Sequence, residues 1–191
     1  MRVLVCVVGL VVAALALGTA CASTERPLGP VTGPKPVLST GLGQLRGVAY
    51  AGAVWIAPLP GPAELDLARR RGISTLIDLS LASEGAGLDL RQACRDASLE
   101  YVDARPERDE AVDDALVDRV LLAIEHCGAR PLLMVSVNAS RAAMFFAIHR
   151  VRHDGVSLEQ ALVEARRCGM KPGGPEALVR RQVARLSGSK R

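Results

Sequence analysis

Pro131-Leu132-Leu133-Met134-Val135 is the most apolar short run in the body of the chain, and Ser136-Val137-Asn138-Ala139-Ser140-Arg141 follows it directly. Four uninterrupted apolar residues behind a Pro are too few for a helix and read as a buried strand. Residues 141–152, rich in Ala and Phe, read as the next helix. In open α/β sheets, ligands sit where a strand's carboxyl end passes into a helix. The first N–H groups of a helix are unpaired and favour anions. An Arg at that place can grip two oxygens of a phosphate. Position alone therefore nominates Ser136, Val137, Asn138, Ala139, Ser140 and Arg141 as an oxyanion site. A plain loop with a solvated Arg satisfies the same pattern.

The pattern around this stretch alternates strand and helix. Val54-Trp55-Ile56-Ala57 reads as a strand stopped by Pro58 and Pro60, and residues 63–71 as a helix stopped by Gly72. Residues 73–79 read as a strand, 88–98 as a helix and 99–102 as a strand. Residues 111–127 place Val112, Leu116, Val120, Leu121 and Ile124 at helical spacing, with Gly128 as the stop. Residues 158–168 form a last body helix with Ser157 as its N-cap. This order predicts an α/β three-layer sandwich, with a mainly parallel central sheet flanked by helices. The domain is drawn at 45–172, with 173–191 as a basic helix or tail.

Composition excludes several classes. The chain of 191 residues is 49% hydrophobic and 23% charged, which argues against disorder. Aromatics are only 3%, so stacking on single-stranded nucleic acid has little to use. The net charge of +4 comes from the ends. Arg2 is the one charge in 1–21. Arg180, Arg181, Arg185, Lys190 and Arg191 outweigh Glu176 in the tail, and residues 22–172 are nearly neutral. A nucleic-acid-binding domain would carry its cations on the fold, so none is predicted as a partner.

The first 21 residues read as an export signal: Met1-Arg2, an uncharged run from Val3 to Leu17, then Leu17-Gly18-Thr19-Ala20-Cys21. The last five resemble a bacterial lipobox, which implies lipidation of Cys21 and a membrane anchor without a spanning helix. Gly18 departs from the usual Leu of that motif. Ala22 after the Cys implies, by the same resemblance, the periplasmic face of the outer membrane. Cleavage near Ala20-Cys21-Ala22, releasing a soluble periplasmic protein, is the alternative. Residues 22–44, with Pro27, Pro30, Pro34 and Pro36 among Gly, Ser and Thr, read as a tether.

The order of pieces from 53 to 170 resembles the protein tyrosine phosphatase superfamily in its dual-specificity branch. It is most similar to the small bacterial phosphatase-like domain sometimes fused to β-lactamase-like hydrolases. The pieces are Val54 to Pro60, Gly72 to Leu79, the acidic Glu84, Ser98-Leu99-Glu100-Tyr101, the strand with its Arg-bearing loop, and Val156 to Met170. The resemblance implies a phosphatase-like fold and a signature loop at 136–141. That signature has the form Cys-x-x-Gly-x-Arg, and here only Arg141 survives. Ser136 stands at the nucleophile's place and Ala139 at the Gly. In the register of the wider superfamily, Val135 takes the Cys place and Met134 the His place, so the nucleophile is missing either way.

The family's Cys attacks as a thiolate. A Ser hydroxyl needs an adjacent base, which Val135 cannot supply. A Cβ at 139 also disfavours positive φ. The family's general acid follows the 99–102 strand, where Asp103, Glu107 and Asp109 are the candidates, and spacing selects none. His126-Cys127-Gly128 imitates the start of the signature, but Leu132 or Leu133 falls where its Arg should be.

Cys94, Cys127 and Cys168 could hold one disulfide in an exported protein, or be a reduced buried set. His149 and His153 lie four apart on a helix, and the reading is a solvent-facing pair with no metal. No cofactor is implied. Three functions remain in contention: an exported pseudophosphatase binding a phosphate-like or anionic ligand, a family hydrolase with residual activity, and a structural envelope lipoprotein contacting an unidentified protein.

Overall fold

The computed structural model describes residues 36–39, 41–81, 83–84, 88–108 and 112–188. The predicted export segment, Cys21, most of the tether and Asp109 lie outside these described residues.

In chain order the elements are β1 (Val37–Ser39), β2 (Val48–Ala51), β3 (Val54–Ala57), α1 (Pro62–Arg70), β4 (Thr75–Asp78), α2 (Leu90–Asp96), β5 (Glu100–Asp103), α3 (Asp114–Cys127), β6 (Leu132–Val135), α4 (Ser140–His153), α5 (Leu158–Arg167) and α6 (Gly174–Gly188). The six strands lie in the order β1-β2-β3-β6-β4-β5. The β3, β6, β4 and β5 strands are parallel, and β1 and β2 add to β3 as an antiparallel extension. This is the α/β sandwich that the alternation of segments predicts.

Strand β6 shows why the sheet sits where it does. All four of its residues are buried. Leu132 and Met134 join the apolar cluster under α3, α4, α5 and α6, while Leu133 and Val135 join the cluster under α1 and α2. A strand covered on both faces must be apolar at every position, which is the pattern of 132–135. Its register with β4, and that of β4 with β5, pairs Val135 with Asp78 and Asp78 with Asp103. The carboxyl ends of the parallel strands therefore finish together, and their loops share one edge of the molecule.

Helix α4 runs through the larger cluster. Ala142 through Ile148 are all buried, and the helix is surrounded by α3, α5, α6 and the sheet. Only its last turn, at Arg152 and His153, is exposed. This corrects the reading of the two histidines: His149 is buried at 8% exposure, and only His153 is exposed. Arg150 is buried as well, at 1%. Its Nε donates to Glu164 Oε2 at 2.9 Å, Nη2 to Glu164 Oε1 at 3.3 Å, and Nη1 to Asp154 Oδ2 at 2.6 Å.

The first predicted domain boundary falls inside the fold, and the second falls in the turn ahead of α6. Val37–Ser39 is paired with β2, Leu42 is fully buried, and Gln44 N donates to Glu64 Oε1 at 3.4 Å. Residues 37–39 and 41–44 thus belong to the fold, although Gly and Ser make them look like tether. At the other end, α6 packs on α4 through Val179 and Leu186, and Gln182 Nε2 donates to Asp114 Oδ1 at 2.7 Å. Two of its three Arg side chains are matched by acids. Arg180 pairs with Glu159 at 2.7 Å and Glu176 at 3.1 Å, and Arg185 with Asp118 at 2.6 Å. No helix among the described residues is long and apolar enough to cross a membrane. Cys94, Cys127 and Cys168 are all buried free thiols.

Candidate functional site

The loop at 136–141 leaves β6 and turns into α4 at the shared edge. Its shape comes from hydrogen bonds made inside the protein. Ala139 N donates to Ser136 O at 3.1 Å, closing a turn. Ala139 itself is left-handed, at φ 62°, where an L-residue is strained and glycine is at ease. It is also 2% exposed, so its methyl is packed.

The two hydroxyls of the loop face inward. Ser136 is 1% exposed, and its Oγ accepts from Ala142 N at 3.3 Å. Ser140 is 6% exposed, and its Oγ accepts from Lys171 N at 2.9 Å. Asn138 Oδ1 accepts from Ser140 N at 3.1 Å. A side-chain oxygen therefore already occupies one donor that an anion would use. Val137 and Asn138 keep backbone N–H groups without a hydrogen bond among the described residues. All six predicted anion-site residues share this turn, but Ser136 and Ser140 have structural partners.

Arg141 reaches back across the edge. Its Nη1 donates to Leu79 O at 2.6 Å and meets Glu84 Oε2 at 3.3 Å. The same Oε2 accepts from Leu81 N at 2.7 Å. Glu84, noted in the sequence only as an acidic residue of the right order, is thus the counter-charge of the loop.

Beside Glu84 lies a cleft of about 280 Å³, lined by Asp78, Ser80, Glu84, Arg91, Tyr101 and Arg105 among others. Asp78, at 2% exposure, is its deepest group. It accepts from Ser80 N at 2.9 Å, Ser80 Oγ at 2.6 Å and Tyr101 OH at 2.8 Å, with Arg105 Nε at 3.9 Å. Burial and then the hydrogen bond to Asp78 hold the Tyr101 hydroxyl well above its usual range, so it stays protonated. Sequence reasoning passed over Asp78. The signal was there: an acid ending an apolar strand at the sheet's carboxyl edge.

The predicted acids fare differently. Asp103 accepts from Arg105 Nε at 2.9 Å and Nη2 at 2.8 Å, and from Arg91 Nη2 at 3.0 Å. Hydrogen bonds from Arg105 hold its carboxyl at about 2. Arg91 and Arg105 thus favour the ionised form of Asp103 in this arrangement. Glu107 is exposed, and no hydrogen bond ties it to the loop. Burial, then the charge of Asp78, pushes Cys94 up to about 12, and burial pushes Cys168 up to about 11.

No family model matches the chain, and no curated protein does. Solved structures do share the fold. TpbA of P. aeruginosa, as a Cys-to-Ser form in complex with phosphotyrosine, is 18% identical, with 86% of this chain and 99% of that chain covered and a TM-score of 0.61. Tk-PTP in its active form is 19% identical over 70% and 92%, at 0.60. Human DUSP28 is 18% identical over 80% and 99%, at 0.57. The chain has the fold of the protein tyrosine and dual-specificity phosphatases.

Proposed function

We propose that the protein is an exported, catalytically silent phosphatase-fold domain whose 136–141 loop holds a phosphate-like anion. The observation that carries the reading is Ser136. In the Cys-x-x-Gly-x-Arg register it takes the nucleophile's place, with Val135 there in the longer register; it is buried, and its hydroxyl accepts from Ala142 N of α4. No imidazole or carboxylate among the described residues hydrogen-bonds to that hydroxyl, so nothing is placed to take its proton. The unpaired N–H groups of Val137 and Asn138, at the start of a long helix, support anion binding. That a Cys-to-Ser form of TpbA is in complex with phosphotyrosine supports binding without turnover. Export, and anchoring through Cys21 on the periplasmic face, rest on the sequence of 1–21.

Glu84 sets the strength of the site, because it shares Arg141 with any incoming anion. The test measures thermal stability of the full chain against sulfate, phosphate and vanadate, alongside aryl-phosphate turnover. Stability rises with anion by mass action. Arg141→Ala weakens binding by about 10-fold or more, since it removes a charge-assisted pair. Glu84→Gln strengthens it. Turnover in the wild type that disappears in Ser136→Ala would overturn the silent reading. Anion affinity unchanged by Arg141→Ala would remove the binding site and leave a structural envelope protein.

A further inference from the structure

A second cavity, of about 310 Å³, opens at the opposite pole, where β3 and β6 begin. Its walls are apolar backbone and side chains from Ala51 to Val54, with Ile124 and Leu132. Its polar groups are His149, His153, Glu125 and Asp154. His149 is more than nine-tenths buried, yet its imidazole makes no hydrogen bond among the described residues. Every side-chain N or O sealed from solvent among those residues does have a partner. The ring nitrogens of His149 are therefore not sealed, and the space they meet is the cavity.

His153 lies one helical turn on, with its ring 5.1 Å from that of His149 and inclined by 28°. Two imidazoles four apart on a helix present nitrogens to one side, a spacing that chelates zinc in other proteins. Two nitrogens on one zinc ion at about 2.0–2.1 Å each lie within about 4 Å of one another. Exposed His153 needs only a side-chain rotation to reach that separation.

We propose that His149 and His153 form a chelating pair for a divalent transition-metal ion of the zinc class. Metal binding needs a ring nitrogen with a free lone pair, and the buried His149 ring, which makes no hydrogen bond among the described residues, offers one to the cavity. Exposed Glu125 faces the pair from α3 and supplies negative charge. Arg150 beside them is already neutralised by Glu164 and Asp154. No three His, Cys, Asp or Glu side chains among the described residues stand together as a complete site. Water fills the remaining positions, or Glu125 moves in to take one.

Calorimetric titration of the full chain with Zn²⁺ alone, at pH 7.5, tests the assignment. One saturable site is expected, weakened about 10-fold or more by His153→Gln and by His149→Gln, and unchanged by His126→Gln. His153 is exposed, so His153→Gln carries the test even if His149→Gln folds poorly. No saturation up to millimolar Zn²⁺ would overturn the proposal. So would an affinity that His153→Gln leaves unchanged, which would mark an adventitious ion only.

Discussion

Replacing Arg150 by Met removes the cation from the most enclosed ion pair in the molecule. Arg150 is 1% exposed and Glu164 5%, and the two share a pair of hydrogen bonds at 2.9 and 3.3 Å. The lone partner left for Glu164 is Gln160 Nε2 at 3.0 Å, a neutral donor. Breaking a buried pair from one side strands a charge and costs about 3–5 kcal/mol. For a domain of this size each kcal/mol lowers Tm by about 2–4 °C, so a drop of roughly 6–20 °C is expected. Urea and thermal melts of the full chain read this directly. Arg150→Met combined with Glu164→Met should recover more than half of the loss, because neither charge then remains buried. Arg152→Ala, on the exposed side of the same helix, should change stability by under about 0.5 kcal/mol. An Arg150→Met protein within about 1 kcal/mol of wild type, or a double variant that merely adds the two losses, would refute the reasoning.

Three further outcomes rest on the geometry. Ala139→Gly relieves a left-handed residue but gives up a packed methyl and adds chain entropy, so stability should stay within about 1 kcal/mol by denaturant titration. Ala143→Gly, buried in the interior of α4, should cost about 1.5 kcal/mol in the same assay. His149 is held down to about 4 in the fold, chiefly by burial, against about 6.5 when unfolded. Below about 6.5 the unfolded chain then binds the extra proton, so stability falls with pH until about 4 and is level below that. Glu125 and Asp154 oppose the shift, while His153 and Arg150 reinforce it. The loss should be on the order of 3 kcal/mol and should be absent in His149→Gln, followed by urea midpoints across that range.

Much of the sheet was legible because a strand covered on both faces runs apolar, as in 132–135, and 73–79 keeps an apolar centre at Leu76 and Ile77 between polar neighbours. The antiparallel extension was not. Val48–Ala51 is short and half small residues, and β1 is held by backbone pairing that any sequence can make. His149 and Arg150 defeated pattern reading for another reason. A polar residue on a helix looks solvent-facing until the elements that cover it are in place; Glu164, which meets Arg150, is up to about 50 Å of extended chain away. For the site, the position of the 136–141 loop was readable from strand and helix order. The commitment of Ser136, Ser140 and Asn138 to internal hydrogen bonds was not, because each depends on a contact made only after folding.

The bond from Arg141 to Leu79 O bears on how chains of this fold are sorted. It fastens the first turn of the central helix to the segment after β4, a joint that helps assembly whether or not chemistry follows. Folding alone is then enough to hold an arginine at this place, so its presence by itself does not distinguish a chain that turns over phosphoesters from one that only binds them.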